Sequence, residues 1–209
     1  MKTYVAIPGT WGWADRHDPD AWFQTTSAFA AAMRALGYVP LRPTPFMWTT
    51  RINGDAAWRR LLAPILPKAL ESGDTKDWES AADNLVYYCE AATEPDVIIA
   101  HSHAGQILAY AARRHGLTVP LAITVSTPVR NDMKAEYFAL HRAAGTWRHL
   151  YDARSDWIAW MGMFGDGSLL GARSMPYAHE NVELDGVHHS GILSDPDKLG
   201  LWDTEGWLS

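Results

Sequence analysis

Two patterns of apolar positions alternate along the chain: short, compact apolar runs and longer segments with helical spacing. The short runs, rich in β-branched residues, predict strands at 3–9, 38–46, 96–102, 121–129, 147–153 and 174–184. The longer segments predict helices at 18–37, 54–70, 77–93, 103–115 and 132–144, with some helix in 192–208. Because strands that alternate with helices are typical of a parallel sheet, we predict a three-layer α/β sandwich. It would have about six mostly parallel strands, with helices on both faces.

Local signals refine two of these elements. Asp18 suits an N-cap, Pro19 suits the first helical position, and Gly37 suits the end of the first helix. Prolines in 38–46 cannot donate to a strand ladder, so we expect that strand near a sheet edge. Only one helix fits into 128–147, between the fourth and fifth strands, so we expect no large cap over the sheet.

Composition and charge narrow the class of protein. The 209 residues are 47% apolar and 20% charged, which suits one domain over 1–209 with a full core. The formal charge is −6 and no basic stripe occurs, so we expect no nucleic-acid partner. The N-terminus is typical of a strand rather than a signal peptide, and no apolar run approaches ~20 residues. We therefore expect no membrane span and a cytoplasmic location, and we leave the oligomeric state open.

Two features that suggest other chemistry have simpler interpretations. The single cysteine, Cys89, lies in an apolar helical pattern, where a buried and inert thiol is expected. The acidic segment 14–20, ADRHDPD, could supply metal ligands, but helix capping and solvation account for it and it lacks zinc spacing. We therefore expect neither a metal nor a cofactor.

A serine follows the most apolar predicted strand. Ser102 stands in AHSHA at 100–104, at the junction between a strand and a helix. Small residues around such a serine are typical of a nucleophile elbow, whose turn is strained and tightly packed. Ala100 and Ala104 stand where glycine is usual, and alanine lacks glycine's freedom at positive φ. A serine helix cap is the simple alternative to a nucleophile.

Carboxylates and histidines follow the later strands. Asp152 lies at the end of the predicted fifth strand and Asp156 follows that strand. Either could orient a histidine. His188 and His189 follow the sixth strand, and imidazole has a pKa suited to a general base. The resulting chain order of serine, aspartate and histidine is the order found in α/β-hydrolases.

The end of the first strand supplies a fourth element. AIPGTWGW at 6–13 places glycines where that fold takes one N–H of its oxyanion hole, here from Thr10. The second N–H comes from the residue after the nucleophile, His103. Two tryptophans of this loop, Trp11 and Trp13, are expected to contact substrate.

Together these segments resemble an α/β-hydrolase fold serine hydrolase, and in particular the small bacterial lipases and esterases without a lid. The resemblance covers roughly 3–195 and is carried by four segments, VAIPGTWG, AHSHAG, LYDARSDWIA and GVHHSGIL. It implies Ser102 as nucleophile, Asp156 as acid and His189 as base. It leaves Asp152 and His188 in lesser roles, and His101 is expected to pack beside the elbow.

The resemblance implies cleavage of a small-molecule carboxylic ester through an acyl-enzyme. The chain departs from the family pattern at Pro8, where histidine is usual, and in the long apolar segment 157–172. Trp157 and Trp160 of that segment are expected to line an acyl-binding wall, with simple packing on the sheet as the alternative. An amidase, thioesterase or acyltransferase with the same triad remains open, as does a non-catalytic binding module of the same fold.

Overall fold

Six parallel strands form a single sheet. The computed structural model describes residues 1–9, 15, 17–48, 74–156 and 173–208. The strands are β1 (Lys2–Ile7), β2 (Tyr38–Pro40), β3 (Val97–His101), β4 (Val119–Val125), β5 (Ala144–Tyr151) and β6 (Glu180–Glu183). Their order across the sheet is β2-β1-β3-β4-β5-β6, and every neighbouring pair is parallel. The predicted α/β fold class is confirmed.

Helices cover both faces of this sheet. They are α1 (Ala28–Ala35), α2 (Asp74–Glu90), α3 (Ala104–His115), α4 (Lys134–Ala143), α5 (Gly191–Ser194), α6 (Pro196–Leu199) and α7 (Leu201–Thr204). A 3₁₀ turn, Asn131–Met133, leads into α4. In the part of the chain that the structure describes, no helix is long and apolar enough to cross a membrane.

Alternate side chains of the central strands enter two separate cores. Val5 and Ile98 join the core under α2, α3 and α4, whereas Tyr4 and Ile99 join the core under α1 and the C-terminal helices. All five residues of β3 are buried. A central parallel strand has helices on both sides, so its apolar residues run without alternation. This explains why β3 could be predicted from an uninterrupted apolar run in the sequence.

The first helix differs most from its prediction. It begins at Ala28 rather than Asp18, because the Oγ of Ser27 accepts a hydrogen bond from the Ala30 N–H at 3.1 Å and caps it. Asp18 instead accepts from the Asp20 N–H at 3.0 Å, within an exposed turn. The predicted stop is confirmed, since Gly37 has φ 85° directly after the helix.

Strand lengths also differ from the predictions. β2 spans only three residues at the sheet edge, β4 begins at Val119 and ends at Val125, and β6 is confined to Glu180–Glu183. The helix predicted at 54–70 lies outside the described residues. Cys89 is buried in α2, and burial raises the pKa of its thiol to about 12, as expected for an inert cysteine.

Candidate active site

The strand order reverses between β1 and β3, and the candidate site lies at the carboxyl ends of these strands. In parallel α/β sheets, ligands bind in the crevice at such a switch point. The register aligns Ile7 with Ala100, so that two residues further on Gly9 reaches Ser102. A Cβ atom on Gly9 would lie 2.9 Å from the Ser102 Cβ. Only a residue without a side chain allows the first loop to lie this close to the serine.

Ser102 has the strained backbone that the motif predicts. Its φ is 57°, a left-handed conformation that is uncommon for residues other than glycine. Its N–H donates to the Val125 carbonyl at 2.8 Å, which continues the pairing of β3 with β4. The chain then turns directly into α3, beginning at Ala104. The strand, the strained serine and the helix together have the form of a nucleophile elbow.

The residues around the elbow explain the need for small side chains. Ala100 and Ala104 are fully buried, and neither has a positive φ, so both positions require small size rather than glycine's backbone freedom. The closest approach lies one residue further, at Gly105. A Cβ atom there would overlap the Thr127 side chain. Alanine at both flanks is therefore compatible with this turn.

Asp156 and His189 form a buried pair at the same edge of the sheet. The His189 Nδ1 lies 2.8 Å and 2.9 Å from the two carboxylate oxygens of Asp156. Asp156 is 0% exposed and His189 is 8% exposed. A carboxylate oxygen accepts hydrogen bonds, so the His189 Nδ1–H donates to Asp156, and the other ring nitrogen, Nε2, takes no part in this contact. This is the arrangement in which a histidine serves as a general base.

His189 is brought to the elbow by the residue that precedes the serine. The His101 Nε2 lies 2.9 Å from the His189 carbonyl oxygen, and the two ring centroids are 4.8 Å apart. His101 ends β3, and Ser102 follows it. The elbow and the histidine loop are therefore in direct contact. Ser102 itself is 8% exposed.

Asp152 is also buried, but its partners differ. Its carboxylate accepts from the backbone N–H groups of Arg154 at 2.9 Å, Ser155 at 2.8 Å and Val187 at 2.9 Å, and from the Ser155 hydroxyl. Burial raises the pKa of this carboxyl, but these hydrogen bonds outweigh burial and lower the pKa to about 2. Asp152 thus joins its own turn to the histidine loop, at Val187.

His188 differs from the adjacent His189 in its burial and in its partners. It is exposed and has φ 55°, whereas His189 is buried against Asp156. The positive φ at His188 marks a sharp turn just before the buried histidine. Of the two histidines that the sequence offered, His189 is the one with a carboxylate partner.

The elbow also contacts α2 through an aromatic side chain. The ring of His103 lies 5.7 Å from that of Trp78, and the Arg130 guanidinium lies 5.2 Å from the Trp78 ring centroid. Arg130 is itself paired with Asp132, with contacts of 3.0 Å and 2.7 Å. Trp78 is a contact that the sequence analysis did not identify, because nothing in a helical tryptophan indicates which loop it touches.

Several predicted residues lie outside the described part of the chain. These are Thr10, Trp11, Trp13, Trp157 and Trp160, together with the apolar segment 157–172. The oxyanion donor predicted at Thr10 and the predicted acyl-binding wall therefore stay predictions. Among the residues that the structure does describe, no group of three or more His, Cys, Asp or Glu side chains is arranged to hold a metal ion.

No protein-family model, curated protein or solved structure matches this chain. At the carboxyl end of the sheet, Ser102 follows β3, and the pair of Asp156 and His189 follows β5 and β6. Ser126, which follows β4, shares the left-handed backbone of Ser102.

Proposed function

We propose that this protein is a serine hydrolase that cleaves carboxylic esters through an acyl-enzyme. The observation that carries the proposal is the buried pair of His189 and Asp156, with contacts of 2.8 Å and 2.9 Å, beside the loop that holds Ser102 at φ 57°. A strained backbone at a serine costs on the order of 1–3 kcal/mol, and such strain clusters at functional sites. Ser126 has a similar φ of 50°, so the strain alone does not select Ser102; the contact of the preceding residue, His101, with His189 does.

The first step would be the attack of Ser102 Oγ on the ester carbonyl carbon. His189 Nε2 takes the hydroxyl proton as the new C–O bond forms, and Asp156 stabilises the imidazolium. The negative charge on the carbonyl oxygen is assigned to the backbone N–H groups of His103 and Thr10. The tetrahedral intermediate then collapses, the ester C–O bond breaks, and the His189 proton passes to the departing alkoxide.

The second step would release the acid. A water molecule gives one proton to His189 Nε2 and attacks the acyl carbon, and the proton returns to Ser102 Oγ as the acyl–serine bond breaks. This cycle regenerates the enzyme with the three side chains of the proposed triad, two backbone N–H groups and water. An amide or a thioester could pass through the same steps with a different leaving group, so leaving-group preference is a measurement rather than a premise.

Reaction with a fluorophosphonate probe, followed by intact-mass and peptide-mass measurement, tests the nucleophile. We expect a single adduct on the peptide that contains Ser102 and no adduct in Ser102→Ala. Hydrolysis of p-nitrophenyl esters of increasing acyl length should be lost in the same variant. A wild-type protein that forms no adduct and hydrolyses none of these esters would contradict the proposal in favour of a non-catalytic binding module.

Ser126→Ala is a matched control for this experiment. Ser126 follows β4 as Ser102 follows β3, it is also buried, and its φ of 50° is similar. Its N–H donates to the Leu150 carbonyl at 2.8 Å, just as that of Ser102 donates to Val125. We expect Ser126→Ala to retain labelling at Ser102. An adduct on Ser126 would instead show that the nucleophile follows β4, which would contradict the proposal for Ser102.

A further inference from the structure

We propose that His101 is a positioning residue for the base, because its ring N–H holds the backbone carbonyl of His189 and so fixes that residue relative to Ser102. The inference rests on the proposed function and adds a residue to its machinery. His101 would not touch the reacting atoms. Its effect would pass through His189.

The hydrogen bond to His189 has only one possible direction. A carbonyl oxygen only accepts, so the His101 Nε2, at 2.9 Å, must carry the proton that it donates. The Ser190 hydroxyl oxygen lies 3.3 Å from the same nitrogen. The loop that carries the base is therefore anchored to the last residue of β3. That residue is in turn fixed by its alignment with Val125 of β4.

The ring of His101 is itself held from two further directions. Trp22 packs edge-on against it, with centroids 5.9 Å apart and an interplanar angle of 80°. On the side of the first loop, a Cβ atom on Gly9 would lie 3.2 Å from the His101 Nδ1. The side chain is 6% exposed. A ring packed this tightly keeps its donor in place while His189 gains and loses a proton.

The charge state of His101 suits this role. Burial, followed by the neighbouring His189, lowers the pKa of His101 to about 3. The ring is therefore neutral around neutral pH, with a single N–H. A neutral ring can donate to His189 without placing a second positive charge 4.8 Å from the imidazolium that forms during the reaction.

A second buried histidine, His149 in β5, provides a comparison. It is 0% exposed, its Nδ1 lies 2.9 Å from the Thr124 hydroxyl, and its ring stacks on Tyr151. Burial likewise lowers its pKa, to about 4. Its hydrogen bond joins two strands within the sheet rather than a strand and the base. Removing His149 should therefore cost stability without displacing His189.

The test compares His101→Leu, His101→Gln and His149→Leu in ester hydrolysis. Glutamine can place an amide N–H close to where the imidazole Nε2 lies, whereas leucine cannot donate. We expect His101→Leu to lower kcat about 10- to 100-fold with KM within about twofold, because the base is misplaced. We expect His101→Gln to recover most of that loss and His149→Leu to leave kcat unchanged. Active-site titration with the fluorophosphonate corrects every rate for unfolded protein.

A substrate-free measurement separates this inference from the proposed function. The ring N–H proton that His189 shares with Asp156 should give a downfield proton NMR signal. It should shift or broaden in His101→Leu but not in His101→Gln or His149→Leu. A wild-type protein without hydrolysis or labelling would end the proposed function. A wild-type protein that is active, with kcat and the NMR signal unchanged in His101→Leu, would overturn the positioning role. The same holds if His101→Gln is no better than His101→Leu, or if His149→Leu loses kcat equally.

Discussion

The turn after β5 begins and ends with buried aspartates whose surroundings differ. Asp152, at its start, accepts hydrogen bonds from three backbone N–H groups and one serine hydroxyl. Asp156, at its end, faces the Nδ1 of His189 with both carboxylate oxygens. The two residues are 1% and 0% exposed. Burial therefore does not distinguish them, whereas the contact of Asp156 with a histidine ring does.

The comparison shows how one turn can both hold two loops together and carry the carboxylate of the proposed triad. Fixed backbone donors stabilise the charge of Asp152 and so join the turn to the histidine loop at Val187. Two residues beyond that junction, the Nδ1 of His189 contacts Asp156. Asp152 fixes the two loops relative to each other, and in this arrangement His189 lies beside Asp156.

The largest expected effect comes from Asp156→Asn. Asparagine can donate as well as accept, so it no longer selects the tautomer in which His189 Nε2 is free. We expect kcat/KM for a p-nitrophenyl ester to fall about 10⁴-fold while the free energy of unfolding changes little. Steady-state kinetics and urea denaturation of the same preparation measure both quantities. Retention of activity here, with a loss of that size in Asp152→Asn, would show that the two roles are reversed.

Asp152→Asn should mainly lower stability. The amide keeps one acceptor oxygen but loses the charge that four donors surround. We therefore expect the free energy of unfolding to fall by about 2–3 kcal/mol, with a modest fall in kcat of about tenfold. The matched control is Asp185→Asn, an exposed aspartate on the histidine loop, which should change neither quantity. Equal stability of Asp152→Asn and the control would contradict the supporting role.

Acid should remove the stabilisation that Asp152 provides. Its pKa is lowered from 3.8 to about 2 in the folded protein, so its contribution is complete above pH 3.8 and is lost as the pH falls toward 2. The shift corresponds to about 2 kcal/mol. The difference in unfolding free energy between wild type and Asp152→Asn should shrink over this range. The buried neutral histidines destabilise both proteins equally as the pH falls below about 6.5, so they cancel in the difference.

The smallest effect is expected at His188. This residue is exposed and has φ 55°, a conformation that asparagine tolerates well. We expect His188→Asn to keep kcat/KM within about twofold of wild type. If the pH–rate profile lost its acidic limb in His188→Asn but kept it in His189→Asn, the base would be His188, and the proposal for His189 would be contradicted.

The sheet could be predicted from the sequence because its information is local. Each central strand is an apolar run bounded by turns, and the chain order of serine, aspartate and histidine follows from where those strands end. The prediction that α1 begins at Asp18 was wrong because Asp18 and Pro19 suit a turn as well as a helix start. Trp22 and Phe23, which the pattern assigned to a helix, enter the core from that turn instead.

The resemblance already favoured Asp156 over Asp152 as the acid, but the partners of each aspartate could be found only in the folded chain. The two carboxylates stand four positions apart in the sequence, and composition does not indicate their partners. What separates them is a backbone N–H at Val187, 35 positions from Asp152 along the chain. The contact of His101 with His189 spans 88 positions. Such pairings depend on tertiary contacts, which no local pattern contains.

The left-handed backbone at position 102 has a consequence for how this sequence can change over time. For folding alone, glycine or asparagine would fit a φ of 57° better than serine does. Serine at 102 therefore costs the folded protein about 1 kcal/mol or more in backbone strain. In a duplicated copy that no longer needs the proposed nucleophile, we expect this position to change to glycine early. The resulting protein should have a higher free energy of unfolding.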